Sequence, residues 1–310
     1  MVTFRHVSVI VPHRNDLAGL ARCLDTLAGL PEKPHEIIVA DNGPTAGLKA
    51  IITVIDRYLD LPIQLIHEPR QGAAHARNAG VKAANGQFLA FLDCDCRPDS
   101  KWLETGRKML DNHAVVGGPV VVAWESRDGP MTAAVAFDLL FGFDVAKSFR
   151  RHRHLLTSNM WVRREAFDVV GPFREGVSED VEWCHRAAAK GYELAFDRHL
   201  IVHHRALPSR QQLNARWRRI THETWLYWRE GDGSRLTWFA KCCIVAASVT
   251  VHGARPIMDN RLIGCQLRMQ TILLLAEIRL RRALYGFSCL FRSAETNSPP
   301  DKNSGINPIQ

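Results

Sequence analysis

Little in this sequence points to secretion, a disulfide scaffold or a bilayer span. Its 310 residues include eight cysteines, at 23, 94, 96, 184, 242, 243, 265 and 289. They follow no regular spacing and form no C-x-x-C pair, which argues against a disulfide framework and for a reducing compartment. Cys94 and Cys96 lack the second pair that a tetrahedral zinc site needs. No strictly apolar run approaches the roughly 20 residues that cross a bilayer. The stretch from Cys242 to Val251 is broken by Ser248 and Thr250, so no transmembrane helix is expected. Val7–Val11 is too short for the apolar region of a signal peptide. The first apolar run is followed by His13-Arg14-Asn15-Asp16, with none of the glycines of a phosphate-cradling loop. There is no internal repeat and no recognisable nucleic-acid module.

What remains is an ordinary globular composition, 46% hydrophobic and 23% charged, long enough for one large α/β domain with an appendage. The net charge of +8 is unevenly placed. Residues 205 to 229 hold Arg205, Arg210, Arg216, Arg218, Arg219 and Arg229 against the single acid Glu223. Such a cluster attracts phosphates of nucleotides, lipids or nucleic acid.

The first hundred residues alternate. Short apolar runs at 7–11, 36–40, 63–67 and 88–92 are separated by stretches with helical spacing. That alternation predicts βαβ units and a parallel sheet. Near-continuous apolar runs predict strands covered on both faces. Beyond Val115 the pattern loosens. VVGGPVVVAW (115–124) reads as an interrupted strand, and SNMWVRREAFDVVGPF (158–173) as strand, turn, short helix and Gly-Pro stop. Residues 178–190 and most of 209–285 read as helical, and 293–310 as a polar, disordered tail.

Polar residues gather where the predicted strands end: His13, Arg14 and Asn15, then Asp41 and Asn42, then Asp93 and Asp95. In open parallel sheets, ligands bind beyond the carboxyl ends of strands. Asp93-x-Asp95 can hold a hard divalent cation, and through it a diphosphate. Arg77, among small residues in QGAAHARNAG, can meet phosphate or carboxylate. Glu179 and Asp180 open a helix, where the dipole favours ionised carboxylates, and one of them can accept a proton from a hydroxyl. His203 and His204 close a short strand and can complete a metal shell. Each has a plainer reading: a turn at Asp41, a surface arginine at 77, a helix cap at 179–180, a structural histidine at 203–204. Asp99 reads as the cap of the next helix.

VSVIVPHRND, EIIVADNGPT, GAAHARNAG, FLAFLDCDCRPD, SNMWVRREAFDVVGPF and SEDVEWCHRAAAKGY together resemble family 2 glycosyltransferases in order and spacing, over roughly residues 5 to 207. The resemblance implies a GT-A-type, Rossmann-like, mainly parallel α/β sheet flanked by helices. It divides the chain into a catalytic domain (1–207), a helical basic-aromatic extension (208–292) and the tail. It also implies inverting transfer from a nucleotide-diphosphate sugar, UDP-linked by preference, with Mg²⁺ or Mn²⁺. By the same resemblance Pro12 and Arg14 line the nucleoside site, Asp41 bonds the base, and Arg77 approaches the base or diphosphate. Asp93 sits near the ribose and Asp95 binds the metal. Asp180 is the general base, beside Glu179. Asn159 and Trp161 lie near sugar or acceptor, and His203 or His204 is the late metal contact.

The chain departs from the family pattern in three places. His13-Arg14 replaces Thr-Tyr or Ser-Tyr, one acid is missing around Asp41, and Gln212 to Trp217 has one residue more than the processive Gln-x-x-Arg-Trp. The expected acceptor is a lipid-linked or growing surface glycan of a bacterial envelope. The expected location is the cytoplasm, with peripheral membrane contact through 209–285. The competing readings are a non-catalytic nucleotide-sugar or glycan-binding subunit and a nucleotidyltransferase of the same fold.

Overall fold

The computed structural model describes residues 6–44, 47–125, 129–231 and 233–291; the predicted tail at 293–310 lies outside them. Two compact units emerge. The first comprises Met1–Val121, Asp144–Glu175 and Glu179–Arg205, and the second Val122–Phe143, Gly176–Ser178 and Ala206–Gln310.

The first unit begins with the expected alternation: β1 (Val7–His13), α1 (Leu17–Gly29), β2 (Glu36–Asp41), α2 (Leu48–Ile55), β3 (Ile63–His67), α3 (Ala73–Ala83) and β4 (Phe88–Phe91). It continues through β5 (Cys96–Pro98), α4 (Trp102–Leu110), β6 (Val115–Gly117) and β7 (Val120–Ala123). After α5 (Ala133–Phe141), which belongs to the second unit, come α6 (Val145–His152), β8 (Met160–Arg163), α7 (Arg164–Val170), α8 (Glu179–Ala189), β9 (Leu194–Phe196) and β10 (Val202–Arg205).

Seven strands form the main sheet in the order β3-β2-β1-β4-β8-β6-β9. Strands β1 to β4 pair in parallel, as does β6 with β9, while β8 runs antiparallel to both neighbours. Alternation along the central strands explains their largely apolar runs. Val9, Val11, Ile37 and Val39 face one core with Leu20, Leu24 and Leu27 of α1. Ile10, Ile38, Leu89 and Phe91 face the other, with Phe167, Phe173 and Trp183. Each such aliphatic side chain contributes about 1.5–3 kcal/mol by leaving water.

Small residues let α3 press onto the sheet. A Cβ on Gly80 would stand 2.5 Å from the Cγ2 of Ile10, so only glycine keeps Arg77, one turn earlier, at this height above the strands. A second sheet, β5-β10-β7, places β10 antiparallel to β5.

The second unit is helical: α5, α9 (Arg210–Glu230), α10 (Arg235–His252), α11 (Ala254–Met258) and α12 (Cys265–Cys289). Phe137, Leu213, Leu274, Leu275 and Ile278 form one of its cores, and Trp225, Trp238, Cys242, Ala283 and Cys289 another. Part of the basic-aromatic pattern is internal here. Arg216 pairs with the fully buried Asp138, and Arg282 lies 4.1 Å from the ring centre of Trp217.

Candidate functional site

Register assembles the first part of the site. Parallel pairing sets His13 beside Asp41 and Asp41 beside His67, at the carboxyl ends of β1, β2 and β3. Asp41 is 1% exposed. Its Oδ1 lies 2.8 Å from His13 Nδ1, and its Oδ2 lies 3.5 Å from His67 Nδ1. The Asp16 backbone N–H donates to His13 Nε2, so that nitrogen accepts and the His13 proton belongs on Nδ1, aimed at Asp41. Burial alone would raise the Asp41 pKa. The hydrogen bond from His13, with the Gly43 N–H and His67, outweighs it and holds the carboxyl below its ordinary range.

A group depressed on folding stabilises the native state above its unfolded pKa, and that stability is lost as pH falls through the folded pKa. Asp41→Asn should therefore lower the melting temperature at neutral pH and flatten its fall below the ordinary carboxylate pKa of about 4. Melting curves at stepped pH test this.

Arg77 is the hub of the second part. It is 4% exposed on α3. Its two terminal nitrogens donate to Asp93 Oδ1, just past β4, and to Glu179 Oε1, at the start of α8, each at 2.7 Å. Burial would depress the guanidinium pKa, but Asp93, Glu179 and Asp180 together raise it further. Arg77 thus ties three elements together through carboxylates. Next to Glu179, Asp180 is half-buried, and its Oδ1 accepts the Val181 N–H at 2.8 Å.

The third part is Asp95 with a histidine. His204 Nε2 lies 3.1 Å from Asp95 Oδ2. Strand pairing decides which histidine it is. His204 stands opposite Cys96 and His203 opposite Arg97, and neighbouring strand residues point to opposite faces. The structure therefore brings His204, not His203, to Asp95. Burial works to raise the Asp95 pKa, but the charge and hydrogen bond of His204 leave it lowered.

An oxygen and a nitrogen 3.1 Å apart match two adjacent ligands of a six-coordinate ion with bonds of about 2.1 Å. Among the described residues no group of three or more His, Cys, Asp or Glu is placed to hold a metal. The pair by itself supplies two of the ligands such an ion needs. Cys94 and Cys96 pack into the core near Cys23, and burial pushes all three thiols up. Asp99 Oδ1 accepts the Lys101 N–H just ahead of α4.

Two sequence candidates lie inside the fold. Trp161 is fully buried, packed edge-on against Trp102 with ring centres 4.6 Å apart. Asn159 is 1% exposed. It accepts from Trp102 Nε1 and donates to the carbonyls of Pro119 and Leu200. These contacts are structural, so neither side chain is presented to a sugar. Asn159→Ala would strip a partner from the buried Trp102 indole and Leu200 carbonyl and from the half-buried Pro119 carbonyl, and a loss of about 2–4 kcal/mol is expected by chemical denaturation.

Pro12 and Arg14 are half-buried at the end of β1, with Arg14 bonded to Gln71 at 3.0 Å. His67 escaped the sequence reading. Its signal was the one that marked Asp41, a polar residue ending an apolar strand.

Comparison with known proteins follows the same line. The family model for glycosyl transferase family 2 matches residues 8–171. Glycosyltransferase AglE of Haloferax volcanii is 33% identical over 222 residues, covering 70% of this chain and 72% of that protein. The pre-mycofactocin glycosyltransferase of Mycobacterium tuberculosis is 29% identical over 209 residues, 64% of this chain and 43% of that one; the chain spans less than half of that relative's length. A solved mannosyltransferase from Pyrobaculum calidifontis, in complex with GDP-Man and Mn²⁺, superposes with a TM-score of 0.54 at 20% identity, over 93% of this chain and 75% of that one. At that identity the likeness speaks for the fold, the GT-A arrangement. Strand order, clustered strand-end carboxylates and matched sequence agree: this chain belongs to glycosyl transferase family 2 and is a glycosyltransferase.

Proposed function

We propose that the protein transfers a sugar from a nucleotide-diphosphate sugar, UDP-linked by preference, to an acceptor hydroxyl with inversion at the anomeric carbon, aided by a divalent cation. The observation that carries this reading is the Arg77 bridge, which joins Glu179, the neighbour of Asp180, to the strand-end acid Asp93, two residues ahead of Asp95.

Pro12, Arg14 and Asp41 would form the nucleoside end, with His13 and His67 fixing the Asp41 carboxylate. Asp93 would face the ribose. Asp95 and His204 would hold Mg²⁺ or Mn²⁺. When bound, the ion supplies positive charge to the departing diphosphate. The mannosyltransferase of similar fold was solved with Mn²⁺ and GDP-Man, which supports the metal and makes the identity of the base a question for experiment.

Glu179 is held by Arg77, which leaves base catalysis to Asp180. Its carboxylate would take the acceptor proton as the hydroxyl oxygen attacks the anomeric carbon, opposite the departing diphosphate. Asp180 stands at the start of α8, where the helix dipole favours negative charge. Arg77 is a positioning residue that fixes Asp93 and Glu179. The acceptor we favour is a lipid-linked or growing surface glycan, met in the cytoplasm.

The stereochemistry is open to a direct test. An α-linked UDP-sugar should give a β-linked product, read from the anomeric proton coupling in NMR. An α-linked product would overturn inversion and the single-base mechanism with it.

A further inference from the structure

Among the described residues, the second unit leaves an apolar helical face uncovered. Helix α10 packs one side inward. There Trp238 and Cys242 are buried, and Trp238 Nε1 donates to the Gly286 carbonyl of α12 at 2.9 Å. On its other side Leu236, Ile244 and Val251 are 77%, 68% and 74% exposed, Phe239 at the edge of the stripe packs against Phe287 of α12, and Ile257 and Met258 of α11 continue the run at 55% and 77%. Helical spacing gathers the α10 members into one stripe. Exposed apolar surface of this extent marks an interaction site.

The charge pattern says what covers it. From Arg235 to Met258 the chain has no acidic residue, and Arg235 and Arg255 stand near the two ends. Residues 206–291 hold thirteen Lys and Arg against five Asp and Glu, and the basic excess remains when the internal Arg216 and Arg282 are set aside. A second copy of the same basic surface would bring like charges together, whereas an anionic lipid surface complements both the stripe and its surroundings.

By length and composition Arg235–Met258 is also apolar enough to cross a membrane. Spanning would strip the buried side from its packing on α12. It would also carry Lys241, which lies 3.6 Å from the ring centre of Trp228, into hydrocarbon. A helix already packed on one side satisfies both sides at once by lying in the interface. We propose that the α10–α11 face docks on an anionic bilayer surface, with the stripe among the acyl chains and the arginines at the headgroups.

Vesicle co-sedimentation of the full chain tests this. Vesicles containing phosphatidylglycerol should sediment the protein, pure phosphatidylcholine vesicles should do so far less, and salt should weaken the binding. Leu236→Asp/Ile244→Asp should cut the affinity about tenfold or more, with the melting temperature and sugar transfer unchanged. Leu236→Ser/Ile244→Ser provides a milder pair should the charged pair fail to fold. Equal binding to both vesicle types would overturn the anionic assignment. Failure to bind either, or a dimer in size-exclusion chromatography that the double variant breaks while vesicle binding persists, would overturn the docking proposal. Vesicle binding is read without a donor or acceptor, so it stands or falls separately from the transfer reaction.

Discussion

Arg77→Ala should lose sugar transfer and several degrees of melting temperature together. The guanidinium is buried and bonded to carboxylates from two different elements. Removing one partner of a buried pair usually costs about 3–5 kcal/mol, because the remaining charge is stranded. Here Asp93 is 32% exposed and Glu179 15%, so water recovers part of that, and about 2–4 kcal/mol is expected. For a unit of this size the melting temperature should fall by about 5–10 °C. Activity should fall further than unfolding explains at a temperature where the variant is still folded. Arg77→Lys separates charge from geometry. An ammonium is a point charge and cannot reproduce the planar fork that serves two carboxylates, so stability should recover in part and transfer much less. A variant with wild-type melting and wild-type transfer would remove Arg77 from the centre of the site.

The second large effect belongs to Asp180. Asp180→Asn keeps the shape and removes the basic oxygen, so kcat should drop by about 10²–10⁴-fold, with little change in melting temperature or in donor binding. Glu179→Gln should behave differently. It weakens the Arg77 bridge, so its loss of transfer should come with a loss of stability. Measuring kcat, melting temperature and donor-induced stabilisation on both variants distinguishes the base from its neighbour. If Asp180→Asn retains full transfer while Glu179→Gln alone loses kcat, the two roles are exchanged.

Much of the frame was legible before any coordinates, for a physical reason. β1, β2 and β4 are buried along almost their whole length, so their sequences are largely apolar, while the edge strand β3 is only half-buried and admits Gln64; polar residues collect where the strands end. That is why Asp41 and Asp93 stood out, and His67 obeyed the same rule unnoticed. The small residues of GAAHARNAG announced a close approach, realised where Gly80 meets Ile10.

What was not legible depends on partners. Which of His203 and His204 meets Asp95 is fixed by the phase of β10 against β5, which neither strand encodes alone. Asn159 and Trp161 carry residue types common in sugar sites, yet both are consumed by Trp102. The arginines of α9 looked like a surface patch. One of them, Arg216, instead answers the buried Asp138 far away in sequence. The grouping of Val122–Phe143 with the C-terminal helices is likewise a tertiary fact without a local signature.

The central claim is that a nucleotide sugar and a divalent ion bind together at Asp95. Its most direct test is a thermal-shift panel of UDP-, GDP-, dTDP- and CMP-sugars, each with and without Mn²⁺, on the wild type and on Asp95→Ala. A ligand that binds only the native state stabilises it, by about 2.7 kcal/mol at a hundredfold excess over Kd. The melting temperature should rise with one nucleotide class, UDP first, and the rise should require Mn²⁺ and disappear in Asp95→Ala. A rise that is indifferent to Mn²⁺ and survives the substitution, or no rise with any nucleotide, would contradict the central claim.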